Sequence, residues 1–214
     1  MCLSCPILST IVRVHRRPTK LARALASLER QTMKDFEVVC TVDDPTDTLS
    51  FEVLKDFQAR IPLRQVSVLY KGWPGCNDYL NTALQYCEGE WVTYLDDDDE
   101  VLSPDYYGGL RKALEKGPDV VLTKFLQGVR IGKYQVLPSQ SSWGIEPRRC
   151  DIGTPCVTVR KALAEKYCWE PTPTGDFDFI MRVSKEAQSS GRLIWLPIVG
   201  VRTQGTPSFG ATEY

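Results

Sequence analysis

The chain has a single histidine, His15. The Cys2-x-x-Cys5 pair therefore has zinc or redox spacing with no histidine nearby, and no second pair of that spacing exists. Eight cysteines are spread along the sequence. With no export signal before them, and several inside apolar periodic segments, they are expected as reduced, mostly buried thiols. No apolar run approaches the roughly 18 residues of a membrane helix. A basic leader is missing too, and Arg13, Arg16 and Arg17 interrupt any signal-like stretch, so a cytoplasmic protein is expected. Neither sign of charge dominates: 26 basic against 27 acidic residues give a net charge of −1, so no global field draws the chain to nucleic acid or an anionic membrane. Internal repeats, low-complexity tracts and a Pro/Gly-rich linker are also lacking, and 214 residues suit one sizeable α/β domain.

What is present is organised around Trp91-Val92-Thr93-Tyr94-Leu95, a run of strand formers that leads directly into Asp96-Asp97-Asp98-Asp99-Glu100. The apolar run without polar alternation predicts a strand covered on both faces. Four aspartates at its tip repel one another unless a cation or water relieves them. Oxygen ligands on a strand end suit Mg²⁺ or Mn²⁺, which take few carboxylates and fill their shell from substrate phosphates. A solvated acidic turn after an edge strand has the same composition.

The rest of the chain alternates strand and helix. Strands are predicted over residues 7–14, 36–42, 66–70 and 119–123. Helices are predicted after Pro18, with Leu21, Leu25 and Leu28 on one face; around Phe51, Leu54 and Phe57; around Leu80 and Leu84; and after Ser103-Pro104. Residues 127–149 are less regular and predict a loop with a hairpin. A strand over 156–159, a helix over 160–167, a helix from Phe179 and a strand over 193–201 complete the pattern. This alternation predicts a mostly parallel sheet with helices on both faces, whose ligands sit beyond the carboxyl ends of the strands. His15-Arg16-Arg17, Asp43-Asp44 and Asp96 to Asp99 all fall at such ends.

Six segments then align, in order, with a known family. The opening Ser9-Thr10-Ile11-Val12-Arg13-Val14-His15-Arg16-Arg17-Pro18, the Leu28-Glu29-Arg30-Gln31-Thr32 segment with Asp35-Phe36-Glu37, and Asp43-Asp44-Pro45-Thr46-Asp47 are the first three. Asn81 through Gly89-Glu90-Trp91, Leu95-Asp96-Asp97-Asp98-Asp99, and Gly175-Asp176-Phe177-Asp178-Phe179-Ile180-Met181-Arg182 are the others. Together they resemble family 2 glycosyltransferases of the GT-A fold, the nucleotide-sugar-dependent and usually inverting type. The resemblance implies a Rossmann-like, mostly parallel sheet with a smaller acceptor-side region, with residues 1–123 binding the donor and 124–214 the acceptor.

Carried over by position, the resemblance implies that His15 lies against the nucleotide base and that Asp44, or Asp43, accepts a hydrogen bond from a uracil-type N–H. Asp96 and Asp97 would hold the ribose or donor sugar. Asp98, with Asp96, would ligate a Mn²⁺ or Mg²⁺ bridging the two phosphates. Asp176 would be the general base towards the acceptor hydroxyl, with Asp178 as the fallback. The implied donor is a UDP-sugar, and the acceptor stays open. Two departures stand out: Gln204 occupies roughly the place of the family's late histidine, and Arg13-Val14-His15-Arg16 replaces its Pro-x-Tyr-Asn.

Each residue also has a plainer reading. Asp176 suits a helix N-terminus, Asp44 a turn, and Trp73, Trp143 and Trp169 a core as readily as a sugar platform. Nucleotidyl transfer on a similar fold and a non-catalytic sugar- or cation-binding module are the alternatives. The first commonly needs a Gly-rich loop after the opening strand, and residues 14–20 contain no glycine.

Overall fold

A computed structural model describes residues 5–72, 74–130 and 133–203. Cys2, Trp73 and Gln204 lie outside the described residues.

The first half is a parallel unit built from strands that the sequence makes apolar throughout. β1 (Leu8–Val14), β2 (Phe36–Val42) and β4 (Trp91–Asp96) are almost wholly buried. β1 lies between β2 and β4, parallel to both, and β2 also carries β3 (Leu63–Ser67). Because β1 has neighbours on both sides, the chain reverses direction of travel across the sheet there. Such a switch point leaves a crevice at the carboxyl ends of β1 and β4. α1 (Pro18–Glu29) begins with proline, whose fixed φ suits the first helical turn, and buries Leu21, Ala24, Leu25 and Leu28. α2 (Thr48–Gln58) starts at Asp47, whose carboxylate accepts the Ser50 N–H at 3.0 Å. α3 (Asp78–Leu84) follows a short 3₁₀ turn at Gly75–Asn77.

Two elements differ from expectation. β3 lies over 63–67 rather than 66–70, because pairing begins where Val38 donates to the Pro62 carbonyl at 2.8 Å. It is an edge strand with only Val66 buried, so its apolar signal is weak and the more hydrophobic 66–70 stretch misled the reading. The acids after β4 do not stay in a loop. Asp99–Val101 forms β5, antiparallel to β9, with Glu100 paired to Arg202 at 2.5 Å.

The second half continues the same sheet with mixed polarity. α4 (Tyr106–Leu114) leads to β6 (Val120–Arg130), which turns into β7 (Lys133–Leu137). β8 (Val157–Arg160) runs antiparallel to β4 on one side and to β6 on the other. α5 (Lys161–Tyr167) and α6 (Gly175–Ser189) precede β9 (Leu193–Thr203), which is parallel to β6. The resulting order is β3-β2-β1-β4-β8-β6-β9-β5, with β7 beside β6. The fold is the expected α/β sheet flanked by helices, but it is mixed rather than mostly parallel. Among the described residues four pairings are parallel and four antiparallel, because β5, β7 and β8 run against the strands they pair with.

One aromatic cluster fixes α6 against β4. Trp169 stacks on Phe179 with centroids 4.2 Å apart, and Tyr94 meets both edge-on at 4.8 and 6.0 Å. Tyr94 is two residues before Asp96 and Phe179 three after Asp176. Packing in this cluster therefore sets the distance between the two acid-bearing segments. It also assigns Trp169 to the core rather than to a sugar platform. Trp143 instead packs edge-on against Trp195 at 5.0 Å.

Candidate active site

Around the turn at Asp97 and Asp98, between β4 and β5, the four aspartates alternate in exposure. Asp96 and Asp98 keep 27% and 26% of their side-chain surface, whereas Asp97 has none and Asp99 almost none. Asp97 turns beneath β1, where it accepts the His15 backbone N–H at 2.8 Å and lies 2.5 Å from the Arg17 guanidinium. Burial pushes its carboxyl up to about 8 against the pull of Arg17. Of the residues expected to touch the donor, Asp97 is wholly enclosed and Asp43 nearly so, at 4% exposure.

Each exposed acid has a cation of its own. Arg13, directly opposite Asp96 in the β1–β4 register, grips Asp96 Oδ1 with Nε at 2.7 Å and with its second terminal nitrogen at 2.6 Å. Burial pulls the Arg13 pKa down, but the Asp96 charge and hydrogen bond outweigh it and leave the pKa raised. Arg17 donates to Asp98 Oδ2 at 2.8 Å, with Lys20 at 4.0 Å from the same oxygen. Burial raises the Asp98 carboxyl, opposed by Arg17.

On the β1–β2 side, His15 Nδ1 meets Asp43 Oδ1 at 2.8 Å, and the imidazole stacks on the Tyr70 ring at 5.3 Å and 16°. Asp44 closes its own turn: Oδ1 takes the Thr46 N–H at 2.8 Å and hydroxyl at 2.6 Å, and Oδ2 takes Arg16 Nε at 2.5 Å. Those bonds, led by Thr46, hold its carboxyl below the usual range. His15, Asp43 and Asp44 thus come together at one end of the crevice, joined to the β4 acids through the Asp97–His15 hydrogen bond.

Asp176 lies in the first turn of α6, where its Oδ1 accepts the Phe177 N–H at 2.7 Å. Burial raises its carboxyl; the Phe177 bond and the charge of Arg13 work against that, and the charge of Asp96 adds to it. Asp176 therefore shares one electrostatic neighbourhood with Arg13 and Asp96, although 80 residues separate the two acids in sequence. Asp178 is tied into the preceding loop through the Thr174 hydroxyl at 2.6 Å.

A model of the family described as "Glycosyl transferase family 2" matches residues 9–154. The chain belongs to glycosyl transferase family 2. WfgD of Escherichia coli, a UDP-Glc:alpha-D-GlcNAc-diphosphoundecaprenol beta-1,3-glucosyltransferase, is 30% identical over 84% of this chain and 70% of its own length. A GalNAc(5)-diNAcBac-PP-undecaprenol beta-1,3-glucosyltransferase of Campylobacter jejuni is 32% identical over 52% of this chain, a match that spans 34% of that relative's length. Among solved structures, residues 1–349 of Staphylococcus aureus TarS in complex with UDP superpose with a TM-score of 0.77 at 22% identity, over 94% of this chain and 61% of that one. A mannosyltransferase of Pyrobaculum calidifontis, in complex with GDP-Man and Mn²⁺, gives 0.69 at 15% identity, over 95% and 59%.

The family resemblance implies a divalent ion, and the β4 acids can be tested for one. No group of three or more His, Cys, Asp or Glu side chains among the described residues is gathered around a common point. Asp96 and Asp98, however, use one oxygen each in the Arg13 and Arg17 ion pairs, Oδ1 and Oδ2 respectively. The second oxygen of each stays outside those pairs. Two carboxylate oxygens fit Mg²⁺ or Mn²⁺ when diphosphate and water supply the remaining ligands.

Tyr70, Arg13 and Asn77 join the site without a role expected from the sequence. Tyr70 falls in the stretch expected as a strand. Arg13 stands in the sequence as a break in a signal-like stretch and a departure from the family pattern, yet a guanidinium at the end of an otherwise apolar buried strand is itself a signal, because such a charge requires a partner.

Proposed function

We propose that the chain transfers a sugar from a UDP-sugar to an acceptor hydroxyl, with inversion at the anomeric carbon. The observation that carries this reading is that Asp176, an acid from far downstream, feels the charges of Arg13 and of Asp96 at the β4 tip. Donor binding is assigned to residues 1–123 and acceptor binding to 124–214.

The uracil ring is taken against the paired His15 and Tyr70 rings, whose stacked planes supply an aromatic surface. Asp43 fixes the imidazole and, with Asp44, offers carboxylate oxygens to the base N–H. Asp96 receives the ribose or donor sugar, and Asp98 with Asp96 would hold Mn²⁺ or Mg²⁺. Such an ion, when bound, neutralises charge that grows on the departing diphosphate. Asp97, enclosed beneath β1, holds His15 and Arg17 in place rather than touching the sugar. Asp176 takes the proton from the acceptor hydroxyl as its oxygen bonds to the anomeric carbon; the bond from that carbon to the phosphate oxygen breaks, and UDP leaves. The raised Asp176 carboxyl makes it a better proton acceptor than an exposed aspartate.

UDP-glucose is the first donor to test, because the names of both bacterial relatives specify glucosyl transfer. A cytoplasmic location accompanies the reading, supported by the free thiols among the described residues, of which Cys5, Cys150 and Cys168 are exposed. No helix among the described residues is long and apolar enough to cross a membrane.

The test is nucleotide release from UDP-glucose and UDP-GlcNAc, with and without Mn²⁺, read by product identity. UDP release supports sugar transfer, with water as the poorest acceptor. Release of the sugar 1-phosphate would assign nucleotidyl transfer instead, and UDP binding without any release would assign a binding module.

A further inference from the structure

Arg13 and Asn77 connect the β4 acids to the start of α6 through a continuous chain of hydrogen bonds. Beyond its grip on Asp96, Arg13 donates from its remaining terminal nitrogen to Asn77 Oδ1 at 3.0 Å. The other end of the same amide, Nδ2, donates to the carbonyls of Glu170 and Thr172, each at 3.2 Å. Asn77 is buried, so its amide has both ends committed in a place where water does not compete. The loop it holds leads straight into α6: Gly175 donates to the Thr172 carbonyl at 3.0 Å, and Asp176 is the next residue. A Cβ at Gly175 would fall 2.6 Å from Asn77 Nδ2 and 2.2 Å from the Glu170 carbonyl. Glycine is thus required for the loop to close on the amide.

We propose that Asn77 is a positioning residue that, with Arg13, sets the Asp176 carboxylate relative to Asp96 and so to the bound sugar. The proposal rests on the reading of Asp176 as the base. Only a side chain that accepts at one end and donates at the other can serve here. The carboxamide of asparagine does so, whereas the carboxylate of aspartate can accept from Arg13 but cannot donate to the loop carbonyls. Asn77→Asp therefore cuts the path at one known place and keeps the Arg13–Asp96 pair. Small displacements of a catalytic group cost about 100-fold in rate, so the consequence should be kinetic before it is structural.

The experiment compares wild type, Asn77→Asp, Arg13→Lys, the double variant and Asp176→Asn. The measurements are UDP binding by calorimetry, UDP release from UDP-glucose, and backbone hydrogen exchange over residues 168–178. Asn77→Asp should bind UDP within about twofold of wild type, release it on the order of 10- to 100-fold more slowly, and exchange faster in 168–178 than elsewhere. The double variant should be hardly worse than the weaker single one, since two breaks in one path do not add. Wild-type release by Asn77→Asp, with Asp176→Asn inactive, would overturn the relay and leave the base assignment standing. Wild-type release by Asp176→Asn would remove the base assignment instead, and unchanged exchange over 168–178 would then overturn the relay by itself. If Asn77→Asp melts below the assay temperature, Asn77→Gln, which keeps both ends of the amide one methylene further out, is measured in the same way.

Discussion

The acids at the tip of β4 and the acid at the start of α6 are chemically alike and are treated in opposite ways. Asp96, Asp97 and Asp98 each lie against a guanidinium, from Arg13 or Arg17. Asp176 accepts from neighbouring backbone N–H groups and feels Arg13 only at a distance. A carboxylate clamped by arginine keeps its place even where burial raises it, as at Asp97 and Asp98, which suits holding a ligand. A carboxylate that burial raises with no guanidinium against it keeps an oxygen open to a hydroxyl proton, which suits accepting one. The contrast separates binding from proton transfer within one crevice, and four substitutions press on it.

The largest effect is expected at Asp176. Asp176→Asn should cut UDP release from UDP-glucose by about 10²- to 10⁴-fold with UDP affinity unchanged, as measured by steady-state rates and calorimetry. The pH dependence carries a definite sign. The rate requires the ionised base, so its acid limb should lie above the ordinary aspartate value of about 3.9. Stability runs the other way. A carboxyl whose folded pKa is raised contributes stability that is fully present below its unfolded pKa and lost as pH rises through the folded one. Asp176→Asn should therefore gain in melting temperature relative to wild type between pH 3 and pH 7.

Arg17→Ala comes next, because it strips the partner from the enclosed Asp97. Removal of one member of a buried pair leaves the other charge uncompensated, and a loss of about 3 kcal/mol in urea unfolding is expected. Asp98→Ala should leave stability nearly unchanged while abolishing any strengthening of UDP binding by Mn²⁺; if Mn²⁺ strengthens UDP binding to that variant as it does to wild type, the ion does not sit at Asp98. The smallest effect belongs to the base platform. Tyr70→Ala should weaken UDP binding by about 1 kcal/mol, the worth of one aromatic stack.

The fold was legible because β1, β2 and β4 are apolar without interruption and end on polar clusters, so the motifs coincide with strand boundaries. His15, Asp43, Asp44 and Asp96 were located in that way, and Asp176 by its place before a helical stripe. β3 was misplaced by three residues since an edge strand with one buried side chain carries little pattern. β5 was unreadable from Asp99 and Glu100, whose charges argue for a loop until Arg202 arrives from β9. The enclosure of Asp97 escaped for a related reason: four identical residues in a row do not say which of them face inward. Arg13 meets Asn77 across 64 positions and Asn77 meets the Thr172 carbonyl across 95, and no local pattern marks such a meeting.

The antiparallel placement of β8 between β4 and β6 has a mechanical consequence. Backbone ladders run without a break from the strand that carries the donor acids, through β8, into the strands of the later half. A clamshell motion, in which one lobe swings over its substrate about a flexible joint, would have to tear those ladders. On the proposed reading, gating would fall to the short segments that rim the crevice, and loop exchange there would change acceptor selectivity while the frame stays untouched.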